Sequence, residues 1–153
     1  MTMHDQVRDL VASLPSSPRL SDVVHAVSGR VGKPVRVVDV DGPSWGGLTA
    51  LVAQHDHEAM VLVPTTAPPL YRMHCVLHEL GHLVRGDTGA APTTQLGFDA
   101  WVSGGHVCQR SLDDRPGLVG AGGADEHFAE AFAYDVAQVL LAGTVDADER
   151  TYG

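Results

Sequence analysis

The alternation of hydrophobic and polar positions divides the chain into helical and extended stretches. His4–Leu14 carries apolar residues at helical spacing and is closed by Pro15 and Pro18. A second helix is expected from a cap at Ser21 to about Val31, with Val23, Val24 and Val27 as its apolar stripe and Gly29, Gly32 and Pro34 at its end. Val35–Val40 is rich in β-branched residues and partly alternating, which predicts a strand. Leu48–Gln54 and Ala59–Pro64 predict two more strands, joined by the polar turn His55-Asp-His-Glu58. From Pro68 and Pro69 to Gly86, Val76, Leu77, Leu80, Leu83 and Val84 recur with helical period. Pro favours a helix start and Gly a helix end. A last helix is expected from Asp125, a suitable N-cap, to Leu141, with Gly143 as its stop and Phe128, Phe132, Val136 and Val139 as its apolar positions.

Between these stretches the pattern fades. Residues 87–124 are rich in Gly and show little periodicity beyond a short piece near Gln95–Val102. A loop of that length is usually functional or mobile, and here it could shape a cleft; a variable insertion without a role is the equal alternative. Residues 144–153 are polar and are expected to be a loose tail. The whole reads as a single α+β domain over residues 1–153, a small mixed or antiparallel sheet packed on helices.

Composition narrows the class. With 44% hydrophobic and 19% charged residues in 153, the chain has an ordinary globular balance. No apolar run approaches the ~20 residues of a membrane span. The N-terminus is polar, without a signal-peptide hydrophobic stretch, and two cysteines, Cys75 and Cys108, make no disulfide framework. The expectation is a cytoplasmic protein with no membrane partner. A net charge of −9 disfavours direct nucleic-acid binding, because phosphates are repelled over most of the surface.

The candidate chemistry lies in His78-Glu-Leu-Gly-His82. Histidines four apart on a helix project from one face, one turn apart, and can hold one Zn²⁺. Glu79 is then placed to take a proton from a metal-bound water. The blander reading is an amphipathic helix with two satisfied histidines. Gly81 costs about 1 kcal/mol against Ala in mid-helix, and a close approach by another backbone behind the site would explain it.

Two histidines need a third protein ligand, with a fourth position open to water. The HExxHxxGxxH solution would require Gly at 85 and His at 88, where the chain has Arg85 and Thr88. A Glu from a later helix is the other solution. Of the five glutamates, Glu126 and Glu130 sit four apart on one predicted helix, so one can bind metal while the other hydrogen-bonds a ligand histidine. A solvated acidic face is the alternative for this pair.

His78-Glu-Leu-Gly-His82, preceded by the strand-like Ala59–Pro64 and followed by Glu126-x-x-Ala129-x-x-Phe132-Ala133, resembles the ImmA/IrrE family of zinc metallopeptidases. The likeness spans roughly residues 20–141, although only the two motifs are specific. It departs from the family pattern at Glu130, where an Asn is usual. The resemblance implies a zincin-like fold, in which the sheet packs on the HExxH helix and a second helix donates a ligand. It implies His78, His82 and Glu126 as zinc ligands and Glu79 as catalytic base; Glu130, one turn from Glu126 on the same predicted face, is expected beside them. It also implies a helix-turn-helix transcriptional repressor as the protein substrate. A zinc-binding regulator without peptidase activity, or a toxin-type protein acting by contact, is the alternative.

Other residues compete for roles. His106 or Tyr134 is a candidate to stabilise the oxyanion of an attacked peptide carbonyl. His74, one turn before His78, is expected at the edge of the site rather than as a ligand. His55 and His57 are expected in solvent, and Cys75 as a buried thiol. His106 and Cys108 have a metal-compatible spacing but no second pair nearby. Trp45 and Trp101 are candidates for a substrate wall or core plugs.

Overall fold

The computed structural model describes residues 3–41, 48–86, 106–111 and 122–152. Helices α1 (Met3–Ala12) and α2 (Leu20–Val31) precede strands β1 (Val35–Val40), β2 (Leu48–Gln54) and β3 (Ala59–Pro64); α3 (Pro69–Arg85), β4 (His106–Ser111) and α4 (Gly122–Tyr152) follow. The sheet has the order β1-β3-β2-β4. β1 runs parallel to β3, while β2 is antiparallel to both β3 and β4, so the fold is mixed α+β.

The three predicted strands occupy the predicted residues because their local chemistry agrees with their place. In β2 and β3, odd and even positions go to opposite faces. Val52, Val61 and Val63 enter the main core with the helices, and Leu51, Met60 and Leu62 form a second buried cluster on the other face. Central strands buried on both faces read as continuous apolar runs, as Ala59-Met-Val-Leu-Val does. The turn between them is closed by the His55 amide donating to the Glu58 carbonyl at 2.8 Å. His57 is exposed and His55 half-buried.

Helix ends differ from expectation in instructive ways. α1 stops at Ala12, two residues before Leu14. The cap of α2 is Arg19 rather than Ser21: the Arg19 amide donates to Asp22 Oδ2 at 2.8 Å, so the carboxylate three residues on supplies the capping contact. Gly32, at φ 76°, terminates α2, and Gly29 remains inside it. α3 begins after Pro68 and ends at Gly86 in the left-handed region (φ 88°), as predicted.

α4 corrects two expectations. It starts at Gly122, which puts Asp125 in its first turn instead of at the N-cap, and it continues through Gly143 to Tyr152, so the tail is helical. A helix-interior Gly costs about 1 kcal/mol but does not break the hydrogen-bond ladder; ending a helix there requires the left-handed cap conformation as well. The stretch 87–124 also contains more order than its pattern suggests, because β4 pairs with β2. The segment near Gln95–Val102, Trp45 and Trp101 lie outside the described residues.

α3 is the axis of the packing. It contacts β2, β3, α2 and, most extensively, α4. Arg72 forks onto both oxygens of Asp39 at 2.9 and 3.2 Å, tying the first half of α3 to β1. Among the described residues, no helix is long and apolar enough to cross a membrane.

Candidate metal centre

The middle of α3 is buried on every side: Cys75, Val76, Leu77, Leu80 and Leu83 are core residues, and His78, Glu79 and His82 are 0%, 1% and 6% exposed. Imidazoles and a carboxylate withdrawn from water are costly unless compensated. The compensation for the histidines comes from α4. Its direction relative to α3 is antiparallel, since Glu126 meets His82 and His78 while Glu130, one turn later, meets His78 and His74.

Gly81 makes this approach possible. A Cβ there would stand 2.9 Å from Ala129 Cα and 3.2 Å from Phe132 Cβ. Only a glycine lets the α4 backbone come so close on the side of α3 that carries the histidines' turn, as the sequence suggested. The same interface is filled by Phe128 and Phe132, stacked at 6.4 Å, with the Arg85 guanidinium 5.8 Å from the Phe128 ring centre.

His78 Nε2 and His82 Nε2 are 3.2 Å apart. Glu126 spans them, Oε2 lying 3.1 Å from His78 Nε2 and Oε1 3.0 Å from His82 Nε2. Ligand atoms bound at ~2.0–2.1 Å around a tetrahedral ion lie ~3.3–3.4 Å from one another. Each imidazole nitrogen thus stands near that separation from the other and from one oxygen of Glu126, and one ligand atom from each of the three residues lies within 4.8 Å of the others. His78, His82 and Glu126 are close enough to hold a metal ion, and two imidazoles with one carboxylate suit a first-row divalent metal.

The electrostatics point the same way. Burial alone would raise the Glu126 carboxyl. Hydrogen bonds from His78 and His82, with their charge, outweigh burial and hold it well below the usual carboxylate range. Glu126 is thus an anion facing two nitrogen donors. His78 Nδ1 also lies within ion-pair distance of Glu130, 2.9 Å from Oε1. Both carboxylates of α4 therefore face the α3 histidines.

The remaining candidates are distributed as follows. His74 lies 3.6 Å from Glu130 Oε2, at the edge of the centre. Tyr134, one turn beyond Glu130 on α4, is 63% exposed. His106 opens β4 opposite Gln54, and its side chain, like that of Cys108, lies outside the described residues. Cys75 is a buried free thiol. The link from His74 to Glu130 is the contact that sequence reasoning missed. Its one visible signal was a third histidine in the four-residue series 74, 78, 82.

No family model matches the chain, and no curated protein or solved structure matches it.

Proposed function

We propose that this chain is a zinc-dependent metallopeptidase of the ImmA/IrrE type, with a zincin-like arrangement of sheet, HExxH helix and ligand-donating helix. The observation that carries the reading is the cluster of His78, His82 and Glu126 at ligand spacing beside the buried Glu79. Zinc bound there would supply a Lewis acid for the scissile carbonyl and a water of lowered pKa. Glu79 accepts the proton of the attacking water and delivers it to the leaving amine. The low dielectric around its buried carboxylate strengthens each of these interactions. A metal with a purely structural role needs no such base.

The substrate in this reading is a peptide segment of a protein partner, a helix-turn-helix repressor by resemblance. β4 ends the sheet order, and an extended peptide can add to a sheet edge through main-chain hydrogen bonds. The net charge of −9 suits a basic, DNA-binding partner better than nucleic acid itself.

Glu79→Gln tests the proposal, since it keeps shape and metal but removes the base. Zinc content and thermal stability should stay nearly unaltered, and cleavage of a co-expressed repressor encoded beside the chain should fall by ~10²–10⁴-fold or more. Relief of repression in cells that is undiminished by Glu79→Gln would reject proteolysis and leave a zinc-binding regulator acting by contact.

A further inference from the structure

α3 bears histidines at 74, 78 and 82, and α4 bears carboxylates at 126 and 130. Because the two helices are antiparallel and one helical turn advances both series, the side chains interleave. His82 meets Glu126 at 3.0 Å and Glu126 meets His78 at 3.1 Å; His78 meets Glu130 at 2.9 Å and Glu130 meets His74 at 3.6 Å. Each carboxylate uses one oxygen for each neighbouring imidazole. The first three members are the metal donors. Glu130 and His74 continue the series outward to the surface, where their side chains are 42% and 37% exposed.

We propose that His74 is a positioning residue for the metal centre, acting through Glu130. A half-exposed Glu has rotamer freedom, and water competes for its oxygens. An oxygen turned to solvent withdraws the other from His78 Nδ1. His74 Nε2, 3.6 Å from Oε2, keeps the carboxylate turned inward by close contact, so that Oε1 stays 2.9 Å from His78 Nδ1 and the ring keeps the orientation that turns Nε2 toward Glu126 and His82. His74 touches no metal and no substrate; its effect reaches the centre only through the Glu130 carboxylate. The inference rests on reading His78, His82 and Glu126 as a metal site and is independent of whether the chain cleaves peptides.

Zinc alone is the probe, titrated into metal-free protein against a chelator of known affinity. Removing a carboxylate that orients a ligand histidine costs 10–100-fold in metal affinity, and His74, one contact further out, should cost about 3–10-fold as His74→Leu. His74→Gln, whose amide N–H stands where Nε2 stood, should restore most of that loss. In a Glu130→Gln background His74→Leu should add less than about 2-fold, because the route is already cut. In the zinc-loaded protein the downfield Nδ1–H proton resonance of His78 should shift in His74→Leu and return in His74→Gln. Unchanged affinity in His74→Leu, or an equal loss with and without Glu130, overturns the proposal. A wild-type chain that binds no zinc would overturn the metal site itself, a result distinct from either of these.

Discussion

From Cys75 to Leu83, α3 is enclosed by the sheet, by α2 and by α4, and His78 and His82 have almost no contact with water. Glu126 and Glu130 on α4 face the same centre with side chains 39% and 42% exposed. One half of the site is held by packing and the other by the contacts it makes to the first. An imidazole locked among core side chains has little entropy left to lose on binding a metal, whereas a half-exposed carboxylate is ordered chiefly by its charge partners. Damage to the two halves should therefore have different consequences: changes on α3 alter both stability and metal binding, and changes on α4 alter metal binding first.

The widest separation is expected from removing donors. The His78→Ala/His82→Ala double variant should retain no zinc, and its metal-free form should lose about 1–3 kcal/mol through the space left in a packed core. Glu126→Ala should also abolish zinc retention and cost the metal-free protein about 1–2 kcal/mol, since the buried imidazoles lose a partner while the core loses no volume. Glu130→Ala should weaken zinc only about 10–100-fold. Elemental analysis of protein never exposed to a metal resin, chelator competition and urea unfolding measure the three quantities. A larger loss of zinc from Glu130→Ala than from Glu126→Ala would exchange their roles.

Acidification should separate the halves next. Glu126 has a folded pKa below its ordinary value. Its contribution is complete above the unfolded carboxylate value of ~4.3 and is lost only as pH falls on toward the depressed folded value. Protons also compete with the metal at the two imidazoles, so zinc affinity should fall on acidification with a limiting slope of up to ~100-fold per pH unit, two protons being displaced. A zinc-affinity profile whose midpoint sits in the carboxylate range would contradict this division.

The smallest effect should come from widening the seam between the helices. Gly81→Ala would gain helix propensity but force Ala129 away from a 2.9 Å contact. The net cost should be about 1–3 kcal/mol from overpacking, together with roughly a tenfold weaker zinc affinity as Glu126 is carried outward. Stability raised by Gly81→Ala, with zinc affinity unaltered, would show that the close approach has no part in forming the site.

The two halves also differed in how far they could be read without a structure. The limits of α3, the strands β1, β2 and β3, and the pairing of His78 with His82 follow from residues within a few positions of each other. Pro68, Pro69 and Gly86 act through their own backbone preferences, and histidines four apart share a face on any helix. The length of α4 was harder, because Gly143 favours a stop without compelling one. β4 was invisible for a related reason. His-Val-Cys-Gln-Arg-Ser has little apolar alternation of its own, and what makes it a strand is the hydrogen bonding it receives from β2.

By itself, then, the amino-acid order determined a sheet beside an HExxH helix and a later helix with two candidate carboxylates, since helical period and turn chemistry are local properties. Which carboxylate spans the histidine pair, how nearly the backbone of α4 approaches Gly81, and that His74 joins the series through Glu130 were decided only by tertiary structure. These depend on the direction and phase of one helix against another, between residues 44 to 56 positions apart in the chain. That phase is set by packing Phe128, Phe132 and Ala129 against α3, a balance of shape and burial that spacing along a single helix does not encode.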